Sequence, residues 1–142
     1  LRPFAQIEEK EWQDIMQVNL TSQFLLTQAL LPVLKLAPGA SVVFTSSGVG
    51  RNGRAYWGAY AISKFATEGM MQVLADEYAN SPIRFNCINP GATRTKMRAK
   101  AYPGENPQSL KTPQDIMPLY VYLMSDESKA VNGQSIDAQP KV

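Results

Sequence analysis

Tyr60 and Lys64 are the residues whose types and spacing are best suited to acid–base chemistry. They stand four apart in "YAISK" and therefore share one face of a helix. A lysine ammonium beside a phenol favours the phenolate, so we expect the Lys64 charge to lower the pKa of Tyr60 from its usual value of about 10. The alternative is a structural helix in which the tyrosine is packed and the lysine is exposed.

Ser47 is the side chain best placed to join that pair. It follows a predicted strand and precedes Tyr60 by 13 residues, so a strand, a loop and a helix can bring the hydroxyl and the phenol together at the carboxyl edge of a sheet. The segment 89–95, "NPGATRT", follows the next predicted strand and would form the neighbouring wall. Asn19 lies inside the first predicted helix, where an asparagine is usually solvated or bonded to a neighbouring loop.

A match to G-x-G-x-x-G is formed by Gly48, Gly50 and Gly53. A dinucleotide-binding turn opens a helix at once and is followed about 20 residues on by an acid that binds the ribose. Here "RAYWGAY" follows Gly53, and the acids at the expected distance fall inside the second long helix. We therefore expect a flexible loop beyond a strand, where substrate pockets form, rather than a phosphate cradle.

Apolar spacing predicts strands that alternate with helices, and Pro32 is expected to kink or end the first helix. This order is typical of an α/β fold with a doubly wound parallel sheet and helices on both faces, although only three strands are visible. The predicted elements are a helix at about 8–36, a strand at 41–45, a helix at 55–80, a strand at 83–88, a polar loop at 94–113, a helix at 114–124 and a strand within 133–138.

Composition argues against several classes of function. The net charge is +2 and the basic residues form no dense cluster, so we expect no nucleic-acid partner. The longest uncharged stretch, 15–34, is interrupted by polar residues and by Pro32, so we expect no membrane span. Histidine is absent, which removes histidine-based triads and most zinc sites, and we expect no metal.

The cysteine content and the first residue bear on location and completeness. The single cysteine, Cys87, cannot form an internal disulfide, and no signal peptide precedes Leu1, so we expect a cytoplasmic location. The chain begins with Leu rather than Met, which suggests that an N-terminal part is missing.

The chain resembles the short-chain dehydrogenase/reductase family. The resemblance is carried by "MQVNL", "VVFTSS", "YAISK", "NPGATRT", "TPQDIMPLYVYLMSDES" and "GQSIDA", and it covers essentially all 142 residues. It implies a Rossmann-like fold in which residues 1–142 are the C-terminal, catalytic half of a single domain. The family's T-G-x-x-x-G-x-G turn and N-A-G segment, which bind adenosine and pyrophosphate, are absent from this sequence, and the common ending V-D-G-G appears as "DAQP".

The resemblance also implies roles for the site residues. Tyr60 would be the general acid that protonates a carbonyl oxygen, and Ser47 would hold that oxygen in place. Lys64 would hydrogen-bond the nicotinamide ribose, and Asn19 would support a water that relays protons to Lys64. The cofactor would be NAD or NADP. The residues that would bind it are Tyr60, Lys64, Pro90, Gly91, Thr93 and Thr95.

Two functions fit these features. The first is an NAD(P)(H)-dependent oxidoreductase that transfers a hydride between nicotinamide and a small carbonyl or secondary alcohol substrate. The second is a non-catalytic remnant that binds or assembles through its two long helices, because half a doubly wound sheet leaves an unpaired strand edge and no adenosine site. The family's usual arrangement further implies a homodimer or homotetramer that forms through those helices.

Positive charges gather in the loop where the family has a substrate lid. They could attract a carboxylate, phosphate or acyl-carrier substrate, or they could form a solvated surface. Trp57, three residues before Tyr60, could line the substrate pocket or pack under the loop. The charged lid residues are Arg94, Lys96, Arg98 and Lys100.

Overall fold

Three parallel strands and five α-helices make up residues 1–141, the part of the chain that a computed structural model describes. The alternation confirms the predicted α/β class, with the architecture of the second half of a Rossmann-like fold. In chain order the elements are α1 (Glu9–Met16), a π-helical segment (Gln17–Thr21), α2 (Ser22–Leu34), β1 (Ala40–Thr45), α3 (Gly58–Glu77), β2 (Ile83–Asn89), α4 (Lys96–Ala101), α5 (Pro113–Met124) and β3 (Ser135–Asp137).

The strands lie side by side in the order β1-β2-β3 and all run in the same direction. Ala40 pairs with Ile83 where β1 meets β2, and Cys87 pairs with Ser135 where β2 meets β3. Because the carboxyl ends of parallel strands share one edge, the segments that follow β1, β2 and β3 meet there.

Helices cover both faces of this sheet. On one face Phe44 and Phe85 pack with Met71 of α3 in the main apolar cluster. On the other face α5 lies against β1, where the Ser41 hydroxyl donates a hydrogen bond of 2.6 Å to the Leu123 carbonyl. Alternate residues of β1 therefore face different helices, as the period of two in a strand requires.

The first predicted helix consists of two α-helices joined by the π-helical segment. Pro32 lies inside α2, and the helix ends at Leu34, two residues beyond the proline. A π-helical segment accommodates one extra residue in a turn and is frequent at functional sites. Asn19 lies in this one.

The prediction of an irregular loop at 94–113 was wrong in part. The segment contains α4 and a 3-10 turn at Pro107–Ser109. Thr95 caps α4 because its side-chain oxygen accepts a 3.1 Å hydrogen bond from the Arg98 amide. The Thr95 cap was a helix-start signal that the polar composition of the segment obscured. Over residues 1–141, none of the helices has the combination of length and apolar character that crossing a bilayer demands.

Candidate active site

Four of the predicted site residues line one cavity at the carboxyl edge of the sheet, and its volume is about 830 Å³. Ser47 enters it from the end of β1, Tyr60 from the first turns of α3, and Pro90 and Gly91 from the segment after β2. The expectation that strand, loop and helix bring Ser47 and Tyr60 to the same place is therefore met by the geometry.

Lys64 lies behind Tyr60 rather than on the cavity surface. Its Nζ is 5.6 Å from the centroid of the Tyr60 ring and donates a hydrogen bond of 3.0 Å to the carbonyl of Thr45, the last residue of β1. The residue is buried, with 8% of its surface exposed. The alternative of an exposed lysine on a structural helix is thus wrong.

Burial dominates the titration of both groups. Desolvation raises the pKa of Tyr60 above its ordinary value, and the neighbouring Ser47 side chain acts in the opposite direction without cancelling the effect. Desolvation likewise lowers the pKa of Lys64. The predicted lowering of the Tyr60 pKa by Lys64 is therefore wrong for this chain, because burial disfavours the charged form of each partner.

The turn after Ser47 packs directly on α3, the helix that carries Tyr60 and Lys64. Gly50 N donates to the Ser47 carbonyl at 2.9 Å, which closes a 3-10 turn over Gly48–Gly50. A Cβ on Gly50 would lie 3.0 Å from the backbone carbon of Lys64 and 2.9 Å from the Ser46 hydroxyl. Gly50 is therefore required for the close approach of the turn to α3, and not for binding a phosphate.

That turn does not open a helix. It is separated from α3 by residues 51–57, because α3 begins at Gly58, three residues after the start that the sequence predicted. The geometry therefore agrees with a loop that lines a pocket and not with a phosphate cradle at a helix N-terminus.

Asn19 contacts the helix that carries the tyrosine. Its Nδ2 donates a 3.1 Å hydrogen bond to the Ser63 hydroxyl, which in turn donates at 2.7 Å to the Tyr60 carbonyl. Its partner is thus a helix rather than a loop or solvent. Asn19 supports the backbone of Tyr60 through Ser63, and its relay role stays a prediction.

Two predicted cofactor residues, Thr93 and Thr95, lie outside the cavity lining. The Thr93 hydroxyl donates to the Gly91 carbonyl at 3.1 Å, while Thr95 caps α4. In this structure both side chains organise the backbone of the segment after β2.

A polar cluster beside the cavity was not predicted. Arg51 Nη1 donates to Asp137 at 2.8 Å, and its Nε donates to the Ser135 hydroxyl at 3.0 Å and lies 3.6 Å from Glu68. Ser135 donates to Glu68 at 2.6 Å. Burial and the nearby Glu68 carboxylate raise the pKa of the Cys87 thiol to about 12, so this cysteine stays protonated. The cluster joins the loop after β1, helix α3 and strand β3, which are distant in sequence.

Aromatic rings connect Tyr60 to the segment 94–113, where the substrate lid is expected; this segment is called the lid below. The Trp57 ring lies 5.7 Å from that of Tyr60 and 6.3 Å from that of Tyr102, which follows α4. Arg98 stacks 3.9 Å from the Tyr102 ring and pairs with Glu105 at 2.7 and 2.8 Å. Trp57 also lines the cavity, which agrees with the first of its two predicted placements, in the pocket rather than under the loop.

The lid therefore has fewer available positive charges than its sequence suggested. Arg98 is paired with Glu105, and Arg94 donates to the carbonyls of Pro107 and Leu110 at 2.8 and 3.1 Å. Lys96 and Lys100 are exposed. Two of the four cations thus stabilise the lid itself.

A parallel sheet with helices on both faces and a pocket beyond the carboxyl ends of its strands is the architecture of a Rossmann-like protein. Residues 1–106 match the family described as short chain dehydrogenase. The chain belongs to the short-chain dehydrogenase family.

Individual relatives agree with this family. The uncharacterized oxidoreductase YciK of Escherichia coli K12 is 63% identical over 138 residues, which are 97% of this chain and 54% of that protein. The crystal structure of a protein designated a short chain dehydrogenase, from Escherichia coli CFT073 and complexed with NADPH, has a TM-score of 0.94 and 63% identity, with coverage of 97% of this chain and 57% of that one. A 3alpha-hydroxysteroid dehydrogenase of Mediterraneibacter gnavus is 32% identical over 139 residues, 92% of this chain and 56% of that protein. The chain thus spans about half the length of the curated relatives it matches.

Proposed function

We propose that the protein to which this chain belongs is an NADP(H)-dependent oxidoreductase that transfers a hydride between nicotinamide and a carbonyl or secondary alcohol substrate. The observation that carries the proposal is the convergence of Ser47 and Tyr60 on one cavity, with Lys64 buried directly behind the phenol. NADP is favoured over NAD because a relative at 63% identity is complexed with NADPH.

The residues present suit such a cofactor. Lys64 Nζ has three N–H donors and makes one hydrogen bond within residues 1–141, to Thr45, so two donors remain for the hydroxyls of a ribose. Pro90 and Gly91 line the cavity and Gly91 is exposed there, so a flat ring could lie against the backbone of this segment. The bound cofactor supplies the hydride, and Pro90, Gly91, Thr93 and Thr95 would form its nicotinamide site with Tyr60 and Lys64.

Tyr60 is proposed to donate the proton to the carbonyl oxygen during reduction. Its raised pKa keeps the phenol protonated at neutral pH, which is the state that a general acid requires. The Ser47 hydroxyl would hold the same oxygen by a hydrogen bond. Asn19 would keep Tyr60 in place through Ser63 and, as the family resemblance implies, support a proton relay to Lys64.

A non-catalytic remnant is the second candidate. It is favoured by β1, which pairs with β2 alone among the described strands and so has one unpaired edge. The assembled Ser47, Tyr60 and Lys64 count against it, because assembly through helices needs none of them. NADPH binding separates the two, since a remnant without an adenosine site would not bind it.

We further propose that the protein forms a homodimer or homotetramer through α2 and α3. Both helices expose apolar side chains, including Phe24 at 47% and Phe65 at 45%. Light scattering of the full-length protein would test this, and a monomer at micromolar concentration would contradict it. The cytoplasmic location inferred from the lone cysteine is likewise a proposal.

The experiment that tests the function is a comparison of full-length protein with its Tyr60→Phe variant. NADPH affinity is measured by fluorescence, and NADPH oxidation is followed with a panel of aliphatic and aromatic ketones. We expect similar NADPH affinity and a turnover at least about 100-fold lower in the variant, because the proton donor is lost. Tyr120→Phe is the matched control, since Tyr120 contacts Thr45 on the other face of the sheet. Equal turnover of the Tyr60→Phe variant and wild type would contradict the proposal.

A further inference from the structure

The side chain of Gln139, just beyond β3, holds the segment after β2. Its Nε2 donates two hydrogen bonds of 2.9 Å, one to the carbonyl of Pro90 and one to that of Ala92. Both partners are acceptors, so the amide nitrogen rather than the amide oxygen must face them. The two carbonyls flank Gly91 and use both N–H groups of the amide.

This contact fixes an unusual backbone conformation. Gly91 has a φ of +74°, in the region that favours glycine, and a Cβ there would lie 3.1 Å from Gln139 Nε2. Asn89 adds a third restraint because its Oδ1 accepts a 3.1 Å hydrogen bond from the Gly91 amide. Two side chains thus restrain the turn at Gly91: Asn89, at the end of β2, and Gln139, which lies beyond β3.

The end of β3 restrains the same segment at a second point. Asp137 accepts a 2.9 Å hydrogen bond from Asn89 Nδ2 at the end of β2. Asp137 and Gln139 therefore attach the residues after β2 to the end of β3. The ending "DAQP" departs from the V-D-G-G of the family pattern, so the pattern does not imply this contact.

We propose that Gln139 is a positioning residue for the nicotinamide site, an inference that rests on the proposed function. It holds Pro90 and Ala92 so that the turn at Gly91 presents its open side to the cavity. Gln139 itself touches neither cofactor nor substrate in this proposal. Loss of its two donors would free the turn, and cofactor binding would then have to order it again.

The Gln139→Glu variant of the full-length protein tests this directly. Above the pKa of the new carboxyl group, a carboxylate would face two carbonyl oxygens and donate to neither. At pH 8 we expect the Kd for NADPH to rise about tenfold or more. The two carbonyl oxygens would raise the pKa of the new carboxyl group because they disfavour its charged form. At pH 5 the protonated fraction therefore increases and restores one donor, so the ratio of variant to wild-type Kd should fall. A residue that only stabilises the fold would not give this pH-dependent ratio.

Gln134→Glu is the matched control. It places the same charge just before β3, where Gln134 is exposed and where, within residues 1–141, its side chain makes only a 3.4 Å hydrogen bond to the Asn132 carbonyl. We expect its NADPH affinity to stay within about twofold of wild type at both pH values. Gln139→Met keeps the length of the side chain without donors, and it should weaken NADPH binding equally at pH 8 and pH 5.

The outcomes separate this inference from the proposed function. If wild-type protein fails to bind NADPH, the proposed function is wrong and the inference falls with it. If wild-type protein binds NADPH and both Gln139 variants bind it equally well, Gln139 has no positioning role and the proposed function stands. If Gln139→Glu does not fold, Gln139→Met provides the test. A folded Gln139→Met protein with weaker NADPH binding would support the positioning role, and one with wild-type binding would contradict it.

Discussion

Lys64 Nζ lies 5.6 Å from the ring centroid of Tyr60, while its hydrogen bond goes to the carbonyl of Thr45. The ammonium is therefore near the phenol but attached to the end of β1. Burial raises the pKa of Tyr60, which keeps the phenol protonated, and lowers the pKa of Lys64, because it disfavours the charged form of each side chain. Tyr60 is thus a protonated phenol at neutral pH, which is the form that its proposed role as proton donor requires.

This arrangement predicts opposite pH profiles for the two directions of the reaction. Reduction needs the protonated phenol, so its kcat/KM should stay level through neutral pH and fall only as the pH rises toward the raised pKa of Tyr60. Oxidation needs the phenolate, so its kcat/KM should rise with pH over the same range. Steady-state rates of the full-length protein in both directions measure this. A reduction rate that already falls between pH 6 and 7 would show that the pKa is lowered instead.

Substitution of Gly50 should disturb the site through packing alone. In Gly50→Ala the new methyl group would meet the backbone of Lys64 at 3.0 Å and the Ser46 hydroxyl at 2.9 Å, so the turn that carries Ser47 must move away from α3. We expect about 1–3 kcal/mol lower free energy of unfolding, measured in urea, and a reduced turnover. Gly53→Ala is the control because no atom of residues 1–141 lies within 4 Å of its Cβ position. Equal effects of the two substitutions would contradict this packing argument.

Local sequence signals predicted the elements and the position of the reactive pair. Tyr60 and Lys64 share a helix face because of their spacing, and β-branched residues marked the strand before Ser47. The direction of the Tyr60 pKa shift could not be predicted, because it depends on burial by elements far away in the chain. The sequence indicated that a lysine was near and gave no measure of how much solvent was lost.

Contacts between distant segments were the other part that the sequence could not supply. Arg51 bonds Asp137 across 86 positions, and Gln139 bonds Pro90 across 49. No periodicity or spacing rule relates residues on a loop, a helix and a strand that meet only at the sheet edge. Asn19 shows the same limit, because its helical position was evident while its partner Ser63 was not.

The cluster around Arg51 predicts a measurable coupling. Arg51→Ala would remove the guanidinium beside the buried Glu68 and leave its side chain with the Ser135 hydroxyl and the Cys87 thiol, so we expect about 1–3 kcal/mol lower free energy of unfolding. This is below the cost for fully buried pairs because the Arg51 side chain is 30% exposed. Adding Glu68→Gln to Arg51→Ala should cost less than the two single changes added together. Strict additivity in urea unfolding would mean that the two residues do not interact.

An exposed ion pair provides the reference for the double-mutant cycle of Arg51 and Glu68. Lys10 and Asp14 lie 2.8 Å apart on α1 with side chains 82% and 64% exposed. The same double-mutant cycle on this pair should give a coupling of about 0.3–0.5 kcal/mol, since solvent screens it. The comparison shows how much of the Arg51 effect comes from burial.

The pairing of Arg98 with Glu105 predicts how the lid responds to charge changes. If Arg98 stabilises the lid, Arg98→Gln and Glu105→Gln should each raise the KM for a neutral ketone several-fold, because each removes the ion pair and at least one of its two hydrogen bonds. NADPH affinity should stay unchanged, since neither residue belongs to the proposed cofactor site. If Arg98 instead recognises anionic substrates, Glu105→Gln would release it and lower the KM for an oxo acid while Arg98→Gln raised it. The signs of these two KM changes, measured on the full-length protein, show whether Arg98 stabilises the lid or binds an anionic substrate.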